Sequence, residues 1–228
     1  MLTPELTRPG KDDRRSAILQ IAREAFLQNG YAATSMSQIA AKLGGSKATL
    51  YNYFPSKKDL FVAVADVESA KVLSQLYIVN ETDGDIRAAL VSHCHRFLTL
   101  VLSEDMIAFY RMIVAESVRF PEVGQTAYEL GFKRGIDRIE AFLMQAMETG
   151  QLRKADARIA AECLLDLGAG YLHKLRLWGV IGTVSQKVIN THVEAIVAIF
   201  LSAFGNDEIS RAARANLSVQ AVQLPTTQ

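Results

Sequence analysis

Between Ser46 and Phe54 the chain crowds together Lys47, Thr49, Tyr51, Asn52 and Tyr53, leaving only Ala48 and Leu50 apolar. Lysine, threonine and tyrosine donate to phosphates and base edges, and asparagine both donates and accepts. A short helix so rich in donors is poor core material. With Ser46 as its cap it would also offer N-terminal backbone N–H groups and a partial positive charge to a phosphate oxygen. Leu50 and Phe54 are left to anchor it. The chemistry open to this stretch is the reading of duplex DNA by a helix lying in the major groove.

Such a helix needs supports, and the flanking sequence supplies them. Ser35-Met36-Ser37-Gln38 has the capping-box pattern, so a short helix is expected there with Met36, Ile39, Ala40 and Leu43 inward. Gly44-Gly45 then permits a sharp turn. Upstream, Ile18, Ile21, Ala22, Ala25 and Phe26 recur at helical spacing from a start near Lys11, and Asn29-Gly30 is a stop signal. Downstream, Pro55 disfavours helix at Phe54, and Ser56 caps a long helix with Asp59 in its first turn. Two short helices across a glycine turn, buttressed by a first one, form a helix-turn-helix unit.

Residues 11–61 resemble the DNA-binding domain of the TetR/AcrR family, the tetracycline-repressor-like regulators. The resemblance rests on Ala25-Phe26, Gly30-Tyr31, Thr34-Ser35, Ile39-Ala40, the run Ser46 to Phe54, and Ser56-Lys57-Lys58-Asp59-Leu60. It implies that Thr34, Ser35, Ser46, Lys47, Ala48, Thr49, Tyr51, Asn52, Tyr53 and Lys57 form the DNA-binding surface, with base reading at Lys47, Ala48 and Tyr51. Gly45 departs from the family, which usually has a small branched apolar residue at that position. The resemblance further implies a palindromic DNA operator, repression, and a C-terminal domain that dimerises and encloses a small-molecule pocket.

Beyond residue 80 the pattern is helix after helix, expected near 86–102, 104–119, 122–148, 156–179 and 186–205, with no strand pattern. The last of these carries Ile189, Val193, Ile196, Val197, Phe200 and Phe204 on one face and Val188, Ala195, Ile199 and Ala203 on another. A helix apolar over so much of its surface is buried on two sides, which suits a homodimer formed through 156–179 and 186–205. A monomeric core would also accept it. Candidate walls for a small apolar or amphipathic effector are Phe97, Phe109, Met112, Tyr128, Phe132, Tyr171 and Trp178, with His93, His173 and Arg111 to orient a polar end. Aromatics at helical spacing serve equally well as core.

The fold class expected is therefore all-α: a flexible arm over 1–10, a three-helix helix-turn-helix domain over 11–55, a larger helical regulatory and dimerisation domain over 56–205, and a polar tail over 206–228. Charge is divided accordingly. Residues 1–60 hold 9 Lys/Arg against 5 Asp/Glu, whereas the rest of the chain has a surplus of acid, and the whole carries +1. The positive end is the one that would meet phosphate.

Other chemistries find little support. Cys94 and Cys163 have no metal-ligand spacing, and adjacent residues of His93-Cys94-His95 point about 100° apart on a helix. No nucleophile with a base and no paired carboxylates stand out; Glu116, Glu140, Glu148, Glu162 and Asp166 read as scattered surface acids. No catalytic residue, metal or cofactor is expected. The charged stretch from Lys11 to Arg15 is unlike a secretory signal, no membrane span is apparent, and the protein is read as cytoplasmic. An alternative to ligand control is a DNA-binding module governed by abundance or by a protein partner.

Overall fold

The computed structural model describes residues 11–44, 46–75 and 85–217. The expectations for the 1–10 arm, Gly45 and the end of the tail lie outside these residues. The described residues form α-helices α1 Lys11–Ala33, α2 Met36–Lys42, α3 Lys47–Tyr53, α4 Lys57–Gln75, α5 Ile86–Val101, α6 Glu104–Glu116, α7 Pro121–Ala127, α8 Lys133–Glu148, α9 Ala157–Leu177, α10 Gln186–Phe204 and α11 Asp207–Leu217. A π-helical turn, Tyr128–Phe132, separates α7 from α8. The all-helical class is as expected. The helix expected over 122–148 is divided by that π-turn, and much of the expected polar tail is in fact α11.

The chain forms two compact units, and the division does not follow the order of the sequence. One unit, the head, comprises residues 1–68 and 112–127; the other, the body, comprises 69–111 and 128–228. The breaks fall inside α4, inside α6 and between α7 and the π-turn. The boundary expected at residue 55 is thus displaced, and the head borrows a second stretch from the middle of the chain.

The head is built on an aromatic centre. Phe26 from α1 meets Phe61 from α4 edge-on at 5.5 Å, and Tyr31 packs on Phe26, Phe61 and Phe120 at 5.7, 5.2 and 5.1 Å. Such ring pairs add to the gain from burial alone. Ile18, Ala22, Ile39, Leu50 and Leu60 complete the core. Inside this unit Arg23 pairs with the buried carboxylate of Glu68 at 3.1 Å.

The body has one apolar core gathered from α5, α8, α9, α10 and α11. Three of its helices begin at side-chain caps: Asp85 on α5, Asp156 on α9 and Ser185 on α10. Among the described residues α10 alone is long and apolar enough to cross a membrane, and its Ile189, Val193, Ile196, Val197 and Phe200 are packed into this core. The α8–α9 link is pinned to the end of α10, since Arg153 donates from its backbone to Phe204 O and Asn206 to Gln151 O. Next to this tie, α11 lays Ala213 and Ile209 against the core, and Ser210 Oγ lies 3.1 Å from Leu201 O. Gly205 forms the corner, where a Cβ would stand 2.6 Å from Leu201 O and 2.8 Å from Ile209.

Candidate nucleic-acid interface

Local caps fix α2 and α3. Ser35 Oγ accepts from the Gln38 backbone N–H at 3.2 Å while the Gln38 amide oxygen accepts from the Ser35 N–H at 2.8 Å, so the capping box closes from both sides. Ser46 Oγ accepts from the Thr49 N–H at 3.1 Å and lies 2.9 Å from Thr49 Oγ1. Each cap satisfies helix-end donors that would otherwise need water. Met36, Ile39 and Ala40 anchor α2, and Leu50 with Phe54 anchors α3. At the start of α4, Ser56 Oγ accepts from the Asp59 N–H and donates to the Asp59 carboxylate.

What remains outward on α3 is the donor face. Ser46, Lys47, Ala48, Tyr51 and Asn52 are exposed, and Thr49 and Tyr53 are half-buried. Tyr51 is 42% exposed although it is a large aromatic in a head with a well-filled core. Ser35, at the start of α2, is exposed as well. Arg15 is exposed and lies over the Phe54 ring at 5.5 Å. This surface offers hydroxyl, amide and ammonium donors from one short helix, the set needed to contact phosphates and base edges together.

Two residues carried over by resemblance are placed elsewhere. Thr34 is 2% exposed, and its hydroxyl lies 3.0 Å from Ala25 O and 2.7 Å from Gly30 O, so that it ties down the end of α1. The Lys57 ammonium donates to the carbonyls of Tyr31, Ala32 and Thr34 at 2.7, 3.3 and 3.0 Å. An ammonium has three donors, and all three are used. It also lies 4.4 Å from the centre of the Tyr31 ring. Burial pulls the Lys57 pKa down, and the charges of Glu116 and Glu122 push back. The expectation that these two side chains touch phosphate is corrected: carbonyls left over at the end of α1 have taken them first.

The reason α1 needs such treatment is Gly30. Its φ of 78° and ψ of 167° break the helix, and a Cβ there would sit 2.6 Å from Glu116 Oε1. Glu116 Oε1 accepts from the Ala32 N–H at 3.1 Å. Burial raises the Tyr31 pKa, with the charge of Glu122 and a hydrogen bond to it acting in the same direction. Glu116, Phe120 and Glu122 are head residues that sequence reasoning missed. No local pattern marks them, because the helix-turn-helix signature ends long before them.

The residues expected to line an effector pocket differ widely in their exposure. Met112 belongs to the head, and the other six to the body. Phe109 is buried, Phe97 packs beside Gly168, and Tyr128 and Phe132 are a tilted surface pair 6.3 Å apart. Tyr171 is exposed, and Trp178 is 73% exposed. Arg111 donates to Arg176 O and Leu177 O, which spends it on the end of α9. His93 is buried with neither ring nitrogen hydrogen-bonded, and burial holds its pKa down at about 4. The ring of His173 meets Tyr110 edge-on at 4.8 Å, and its Nε2 has no hydrogen-bond partner. An open groove of about 540 Å³ between α5 and α10 is lined by Ser92, His95, Arg96, Asn190 and Glu194 among others. Burial pushes the Cys94 thiol up to about 12, so it behaves as a small apolar group.

Comparison with known proteins agrees with the division of labour along the chain. Residues 18–64 match the family model described as bacterial regulatory proteins, tetR family. Residues 88–206 match the AefR-like transcriptional repressor, C-terminal domain. The flavonoid-responsive regulator FrrA is 32% identical, with a TM-score of 0.75 over 85% of this chain and 98% of that one. A TetR-family transcriptional regulator from Mesorhizobium loti MAFF303099 is 26% identical, with a TM-score of 0.76 over 87% of this chain and 100% of that one. The nucleoid occlusion factor SlmA of Marinobacter nauticus is 25% identical over 63% of this chain and 71% of its own length.

Proposed function

Given that this chain belongs to the TetR family of DNA-binding transcriptional regulators, a family of non-enzymes, we propose that it is a ligand-responsive repressor that binds a palindromic operator as a homodimer. The observation that carries the DNA reading is the outward face of α3, with Lys47, Ala48, Tyr51 and Asn52 in solvent and Leu50 locked beneath. The match to an AefR-like repressor domain supports repression. Such a function is exercised in the cytoplasm, where the DNA is.

Dimerisation through α9 and α10 is supported by the apolar side chains those helices leave in solvent. Ile159, Leu167 and Tyr171 on α9 and Ile199 on α10 are exposed large hydrophobics. A second copy would cover them in a symmetric interface. Half-sites on one face of B-DNA lie about 34–36 Å apart or a multiple of that, so a modest shift of either head disengages both from the duplex. An effector acts through its differential affinity for the two arrangements, and each tenfold loss of operator binding needs about 1.4 kcal/mol of coupling. The chain passes between head and body inside α4, inside α6 and between α7 and the π-turn, the segments able to carry that shift.

The flavonoid-responsive relative supports a small-molecule effector for this chain, of an apolar or amphipathic kind. Selection of duplexes from random-sequence DNA by the full chain tests the proposal. A palindromic consensus, bound by a dimer and lost with Lys47→Ala plus Tyr51→Ala, is expected; recovery of no consensus would overturn it. A thermal-shift screen of flavonoids and other amphipathic compounds tests the ligand arm, because a ligand preferring the native state raises the melting temperature.

A further inference from the structure

Glu116 lies far from the helix-turn-helix in sequence and ends α6, yet its carboxylate reaches the corner where α1 gives way to α2. We infer that Glu116 is a positioning residue for DNA reading, its carboxylate holding the Gly30–Thr34 corner and thereby setting how α2 and α3 are presented. This rests on the DNA-binding reading and adds a residue that acts on the site from outside the helix-turn-helix.

The geometry is specific. Gly30 turns the chain with a positive φ, and the space a side chain would fill there is occupied by Glu116 Oε1 at 2.6 Å. The same oxygen accepts from Ala32 N–H at 3.1 Å. That N–H comes after the break and has lost the regular helical register, so the carboxylate completes it. From the other side, the Lys57 ammonium takes the carbonyls of Tyr31, Ala32 and Thr34. Donors and acceptors of one short corner are thus met by an anion and a cation, and the two charges favour one another.

The corner sets the position of both short helices. Thr34 is succeeded at once by Ser35, whose capping box starts α2. α2 in turn packs against α3, the donor helix. Phe120, four residues beyond Glu116 and past the end of α6, seals the arrangement by packing edge-on against Tyr31 at 5.1 Å. A shift at the corner therefore moves the start of α2 and tilts α3, whereas general attraction between a basic surface and phosphate is left alone. Sequence-specific affinity should depend on Glu116, and non-specific affinity should not.

The experiment uses the full chain, a duplex selected from random-sequence DNA by the unaltered protein, and a scrambled duplex of equal length. Glu116→Ala removes acceptor and charge, Glu116→Gln keeps the acceptor and the reach, and Glu116→Asp keeps the charge but is one methylene short. The exposed acid Glu129 on the π-turn, changed to alanine, serves as control. Expected are a loss of at least tenfold in affinity for the selected duplex with Glu116→Ala, unchanged affinity for the scrambled one, recovery to within threefold with Glu116→Gln, and faster hydrogen exchange at Ala32. Equal loss on both duplexes, or no loss on either, overturns the inference. Should Glu116→Ala fail to fold, the order of the other two decides: Gln above Asp supports it, and Asp equal to or above Gln overturns it. Failure of the unaltered protein to select any sequence would instead strike the DNA-binding reading itself.

Discussion

Lys57 donates to the carbonyl of Tyr31 at 2.7 Å, and with two further carbonyls in reach its ammonium is fully engaged inside the head. Lys47, by contrast, stands in solvent on the donor face of α3.

The two lysines should therefore respond differently to salt. Lys47→Ala is expected to flatten the slope of log affinity against log salt by about 1.8, that is about 0.9 for each of the two phosphates a dimer no longer neutralises. Lys57→Met should leave that slope unchanged and lower the stability of the fold by about 1–3 kcal/mol through carbonyls left unsatisfied. Operator titrations across a salt series, with denaturant melts of each variant, measure both.

Tyr51 and Asn52 are exposed donors on the same helix face. Replacing Tyr51 with phenylalanine removes a hydroxyl while keeping the ring, and at a base edge or phosphate that costs about 1–2 kcal/mol of operator binding. Melting temperature should not fall, because Leu50 and Phe54 do the anchoring. A loss of fold rather than of affinity would assign Tyr51 to the core.

His93 predicts an acid-sensitive body. Its pKa falls from 6.5 to about 4 because burial penalises the charged ring, with the nearby Arg96 charge adding to the effect. The unfolded chain binds the proton first, so stability is full above pH 6.5 and is lost as pH falls towards 4. The loss is on the order of 3 kcal/mol. His93→Leu should abolish this slope and be neutral or stabilising at neutral pH, since it replaces an unpartnered buried ring with an apolar side chain. Denaturant melts between those pH values provide the check.

At the other end of the body, Gly205 has an ordinary φ of −62°, so alanine strains no backbone there. The added methyl would nevertheless meet Leu201 O at 2.6 Å and Ile209 at 2.8 Å. Gly205→Ala should push α11 away from α10 and cost about 1–3 kcal/mol. Exchange protection should disappear across 207–217 while the head is unaffected, as hydrogen-exchange mass spectrometry would show.

How much of this is legible in the sequence depends on how local the cause is. The Ser35 and Ser46 caps, the outward face of α3 and the starts of α5, α9 and α10 obey short-range rules, and the structure has them within a residue or two. Thr34 and Lys57 mislead because their type suits phosphate, whereas their partners are carbonyls freed by the break at Gly30. The tail becomes α11 because Ile209 and Ala213 share one helical face that alanines and charges obscure. The aromatics proposed for a pocket cannot be sorted by type: Phe109 is core, and Trp178 is solvent-exposed. Glu116 has no signature at all, since its partner Ala32 is 84 positions away.

Although the helix-turn-helix precedes the body in the chain, the head cannot be finished first. Its corner waits for Glu116, and the Tyr31 ring waits for Phe120, so the 84 positions that separate Ala32 from Glu116 must all be synthesised before the loop can close. A nascent chain stalled short of that point would carry a complete helix-turn-helix sequence with its α1 corner unbraced and the aromatic centre missing one ring. Completion of the head is in this way deferred until the start of the body has been made.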